Sequence, residues 1–145
     1  MPTLWTIGYE RMLAPELVAE LSAAGMQRVI DVRFRPQSRR PGMSKTRLGE
    51  LLGEHGIAYE HRKALGTPPD LRHDFHAGRV EQARAGYRTY VEATAPDALT
   101  ALAGELGHGP RTALLCLEQD PAGCHRRVLC ELLAERMPRL KVVDL

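Results

Sequence analysis

Short apolar runs that alternate with segments of helical spacing constrain this chain more than any other feature. Residues 4–8, 28–32, 57–61, 112–117 and 140–145 read as strands. The intervening segments read as helices. One begins near Pro15, places Leu17, Val18, Leu21 and Ala24 on one face, and stops at Gly25. The next is capped by Ser44, carries Leu48, Leu51 and Leu52, and ends at Gly56. Val80–Thr94 and residues 96–106 form two more, broken at Pro96. Val128, Leu129, Leu132 and Leu133 mark the last helical stripe. Residues 65–78 contain Gly-Thr-Pro-Pro-Asp and no clear period, so they read as loop. This order predicts one α/β domain over residues 1–145, with a mostly parallel sheet of about five strands and helices on both faces. At 145 residues the chain is large enough for a real core. Ligands in such sheets bind beyond the carboxyl ends of the strands. The polar clusters at 9–10, 31–39 and 116–127 each fall just after a predicted strand.

Charge narrows the function classes. The net charge is only +2, so no global field draws the chain to DNA or to anionic membranes. Distribution matters more than the total. Arg33, Arg35, Arg39, Arg40, Lys45 and Arg47 follow one another with no acid between them. Aromatic residues make up 5%, too few for a base-stacking platform. Three cysteines do not make a secreted disulfide framework. The chain starts without a signal-peptide pattern, and no apolar run is long enough to span a membrane. A reducing cytoplasmic location is the expectation.

Two segments can carry chemistry. In the first, strand alternation places Asp31, Arg33 and Arg35 on one side, with Ser38 and Arg39 beyond them. Asp31 can orient the arginines or act as acid/base, and Arg33, Arg35, Ser38 and Arg39 can bind an anion. In the second, Cys116 ends an apolar run and reads as a strand-end core thiol. Glu118 shares a cleft with it only if the strand ends between them. Cys124, His125 and Arg126 then open the last helix, where free N–H groups favour an anion. Cys124 reads as the functional thiol, with His125 as proton carrier and Arg126 on the anion. Helical rotation keeps all three from facing one atom unless the chain is still turning there. A zinc set from Cys116, Cys124 and His125 lacks the usual ligand spacing, and a Cys116–Cys124 redox pair is a further alternative. No metal or other cofactor is expected. Rhodanese- or phosphatase-like chemistry would suit a cysteine after a strand, but the span from Cys116 to Arg126 is too long for a C-x5-R cradle. Tyr9 can reach the cleft from the first strand.

Taken together, Thr6-Ile7-Gly8-Tyr9, Asp31-Val32-Arg33 with Pro36 and Ser38-Arg39, Pro41-Gly42, Leu65-Gly66, and Cys116-x-Glu118 followed by Cys124-His125-Arg126 resemble the bacterial family called domain of unknown function 488. Met43, Thr67 and Leu117 depart from that family's usual Phe, Gly and Ala. The resemblance implies a Rossmann-like α/β fold and one cleft joining these motifs, with Gly66 close to the ligand. It implies no reaction. The expectation is an enzyme acting on a phosphate-bearing small molecule, a nucleotide or a nucleic-acid-related substrate. A non-catalytic nucleotide or nucleic-acid binding module is the alternative, and no membrane partner is expected.

Overall fold

The computed structural model describes residues 2–145. Five strands form one parallel sheet: β1 (Thr3–Gly8), β2 (Arg28–Asp31), β3 (Ala58–His61), β4 (Thr112–Cys116) and β5 (Lys141–Asp144), in the order β3-β2-β4-β1-β5. Six helices surround it: α1 (Ala14–Ala23), α2 (Lys45–Glu54), α3 (Pro69–His76), α4 (Val80–Thr94), α5 (Pro96–His108) and α6 (His125–Arg136). The Rossmann-like α/β architecture read from the sequence is the one observed.

Alternation along the strands builds two cores. Leu4, Ile30, Leu114 and Cys116 face one side, where Tyr87, Leu99, Leu129 and Leu133 of α4, α5 and α6 cover them. Ile7, Val29, Ala113 and Leu115 face the other, under Leu17 and Leu21 of α1 and Leu48 and Leu52 of α2. Gly25 and Gly56 end α1 and α2 with φ of 74° and 73°, a conformation that costs glycine nothing.

Two local readings change. Residues 65–78 are not simply loop, because α3 occupies Pro69–His76 and buries Phe75. Ser44 does precede α2, but its hydroxyl does not cap the helix. It accepts from Ser38 N at 3.0 Å and donates to Ser38 O at 3.2 Å, closing the turn before the helix.

The chain steps from β1 over to β2 and later inserts β4 between them, so the carboxyl ends of β1, β2 and β4 lie side by side. Gly8 and Cys116 are in register there. A cleft opens at that edge, as expected where the strand order of such a sheet reverses.

Candidate active site

The cleft contains about 430 Å³ of empty space, its open mouth included. It is lined by Tyr9, Arg33, Phe34, Arg35, Gln37, Thr67, Arg72, Phe75, Cys116, Leu117, Glu118, Cys124 and His125. Its floor is a cluster of two thiols and an imidazole. His125 Nδ1 lies 3.5 Å from Cys124 Sγ and 3.9 Å from Cys116 Sγ. The other ring nitrogen, Nε2, is 2.8 Å from Val32 O, which assigns the Nε2 proton to that carbonyl and turns Nδ1 toward the sulfurs. Tyr87 packs on the imidazole at 5.0 Å between centroids.

Backbone geometry explains how neighbouring residues reach one point. Cys124 is the N-cap of α6, with extended φ −136° and ψ 152°, and the helix begins only at His125. Cys124 and His125 therefore both turn to Cys116. Arg126 turns away. It is 1% exposed, donates from Nη2 to Glu118 O at 2.7 Å and Gln119 O at 3.2 Å, and does not line the cleft. Its Nη2 thus fastens the loop after β4, while its buried Nε and Nη1 have no partner among the described residues.

That loop carries Glu118. β4 ends at Cys116, so Glu118 is free to enter the same cleft, with Oε2 3.6 Å from Cys116 Sγ and Oε1 3.1 Å from His76 Nε2. The Cys116 thiol is held below its ordinary range by a hydrogen bond from Cys124 and the nearby His125 charge, against opposing burial. Burial pushes Cys124 well above its ordinary value. Glu118 is pushed up by burial, yet its own backbone amide, Cys124 and His76 outweigh this and lower it. Cys116 is buried, as a strand-end thiol would be, but it also belongs to the site. The structure thus sets two thiols, Cys116 and Cys124, side by side in the cleft.

The arginine-rich strand end divides. Asp31 is wholly buried and does not line the cleft. Its carboxylate accepts from Arg33 N, from Arg33 Nε and Nη2, and from the Tyr59 hydroxyl. These contacts hold Asp31 behind Arg33 and Tyr59, away from the cleft where an acid/base was expected. Arg33 reaches the cleft wall, but Nη1 donates to Tyr9 Oη at 3.2 Å and Met43 O at 2.7 Å while the rest binds Asp31. It holds Tyr9 in place and has little left for a ligand. Ser38 and Arg39 lie outside the cleft lining, the Ser38 hydroxyl accepting from Arg40 N. Gly66 is not a lining residue. A Cβ there would meet the Phe34 backbone at 2.5 Å, so glycine lets this loop lie on Phe34.

Two side chains missed in the sequence complete the rim. Arg72 of α3 stands with Arg35, both exposed, and neither has an ion pair or side-chain hydrogen bond among the described residues. Thr67 is 4% exposed, lines the same cleft, and its buried hydroxyl has no partner among the described residues. The sequence signal for Arg72 was available. Pro69 in the first turn followed by Asp70 is a helix start.

The family described as Domain of unknown function DUF488 matches residues 14–133. No curated protein and no solved structure matches the chain.

Proposed function

Since the chain belongs to the DUF488 family, whose description assigns no activity, the cleft itself has to supply the reading, and we propose that it is the active site of an enzyme acting on a phosphate-bearing, nucleotide-like substrate. One observation carries this: two unpaired guanidiniums, Arg35 and Arg72, stand over a buried cluster of reactive side chains in one cleft. Guanidiniums bind phosphate through charge-assisted, often bidentate hydrogen bonds. The unpartnered Thr67 hydroxyl adds a donor or acceptor for the same ligand, which relieves the cost of burying it alone. Beneath the anion, Cys116, Cys124 and His125 form the reacting centre. Glu118, oriented by His76, is the carboxylate placed to exchange a proton with the substrate.

A small anion suits this cleft better than a polyanion. The cleft's own free cations, Arg35 and Arg72, are clustered at one mouth, and the net charge is only +2. A calorimetric panel of nucleoside mono-, di- and triphosphates, inorganic phosphate and short nucleic acids tests this. The expected result is binding of a nucleotide with shallow salt dependence, weakened about tenfold or more by Arg35→Ala or Arg72→Ala. No binding across the panel, or binding indifferent to both substitutions, contradicts it. Steep salt dependence with preference for polynucleotide would favour the nucleic-acid module instead.

A further inference from the structure

We propose that Cys116, Cys124 and His125 are the protein ligands of a zinc(II) ion. This deepens the reading of the cleft as a reaction centre and depends on it only for the ion's use, since the three donors exist whatever the substrate is. Their ligand atoms lie within 4.8 Å of one another. A tetrahedral zinc site with Zn–S of about 2.3 Å and Zn–N of about 2.0–2.1 Å has S···N edges of roughly 3.6 Å. The two S···N separations here, 3.5 and 3.9 Å, bracket that edge.

Orientation agrees with distance. A metal-binding imidazole commonly donates its second N–H to a carbonyl or carboxylate, which fixes the ring. His125 Nε2 is 2.8 Å from Val32 O, leaving Nδ1 between the sulfurs. Adjacent cysteine and histidine seldom share an ion on a regular helix. Here the extended N-cap conformation of Cys124 removes that obstacle. Burial points the same way. The three residues are 6%, 2% and 4% exposed, so an ion held by them would be shielded from bulk water except on the cleft side. Thiolate and imidazole donors suit zinc better than magnesium or calcium. Three protein donors facing a cleft leave room for a fourth ligand from water or substrate, the pattern of catalytic zinc. Glu118 is not one of the clustered donors and stays available for proton exchange.

The test is metal analysis of the full chain purified under reducing conditions without chelator. About one zinc per chain is expected. Cobalt(II) exchanged into the site should show thiolate-to-cobalt charge-transfer absorption, a readout that needs no variant. Cys124→Ser and His125→Ala should lose more than nine-tenths of the metal at equal zinc exposure. Cys130→Ser, which removes a buried thiol of α6 outside the cluster, should keep it. Folded unsubstituted protein that takes up neither zinc nor cobalt overturns the proposal. So does isolation of a Cys116–Cys124 disulfide that, once reduced, still binds no metal. Arg35→Ala and Arg72→Ala should retain the metal while losing the anion. Nucleotide binding without metal would remove this inference and leave the cleft reading intact, and metal without nucleotide binding would do the reverse.

Discussion

Asp31 and Arg33 form an ion pair almost without contact with water, at 2.7 Å and with side-chain exposures of 0% and 4%. Removing one partner strands the other charge. Asp31→Ala should therefore cost about 3–5 kcal/mol of folding stability, read from urea unfolding. A loss of turnover with unchanged stability would instead return Asp31 to the reaction. Thr67 behaves differently. Its hydroxyl is buried and lacks a protein partner, so Thr67→Val should leave stability nearly unchanged or raise it, and should weaken nucleotide binding by about 1 kcal/mol in calorimetry. Equal affinity in the two proteins would remove Thr67 from the site. At this scale the motif residues were legible in the sequence, but their burial was not. Asp31, Arg33 and Arg126 look like ligand-binding charges in one dimension. In three, Asp31 and Arg33 bind each other, Tyr59 and Tyr9, and Arg126 gives Nη2 to the carbonyls of Glu118 and Gln119.

At the scale of elements, the end of β1 and the loop after β4 touch. A Cβ on Gly8 would sit 1.7 Å from Glu118 O, a distance no flexible side chain can relieve because the obstacle is backbone. Gly8→Ala should destabilise the fold by several kcal/mol, or force residues 117–119 to move and disrupt the Glu118–His76 contact. Circular dichroism melting and NMR of His76 distinguish the two, and an unperturbed protein by both would refute the close approach. The strands and most helices were readable because their apolar spacing is regular. α3 was not, because its 8 residues are too short a window for a period to show and bury only Phe75; its start signature at Pro69 and Asp70 was the better evidence. The reach of Cys124 likewise depended on where α6 begins, a boundary that periodicity leaves open by a residue or two.

Across the whole molecule, Glu105 of α5 ties the sheet to its helical cover through Arg28 of β2 at 2.7 Å and Arg62 beyond β3 at 2.6 Å. The Arg62 hydrogen bond, with help from Arg28, holds the Glu105 carboxyl below its ordinary value despite burial. A depressed carboxylate adds stability that is present above its unfolded pKa and lost as pH falls through the folded one. Stability should thus decline below about pH 4.5, the ordinary glutamate value, and Glu105→Gln should flatten that decline by no more than about 1 kcal/mol, since the carboxylate is part-exposed. If the cluster holds zinc, a strong chelator should also lower the melting temperature of the reduced protein. Spacing does not give the strand order, because β4 inserts between β1 and β2, nor the meeting of Cys116 with Cys124 and His125, because that depends on the turn after β4 and the extended Cys124. The most direct test of the cleft as the functional site is amide chemical-shift mapping of the full chain with a nucleotide that the binding panel selects. Perturbations should centre on Arg35, Thr67, Arg72, Glu118 and His125. Shifts confined to Ser38 and Arg39, or to the α1–α2 face, would contradict the account.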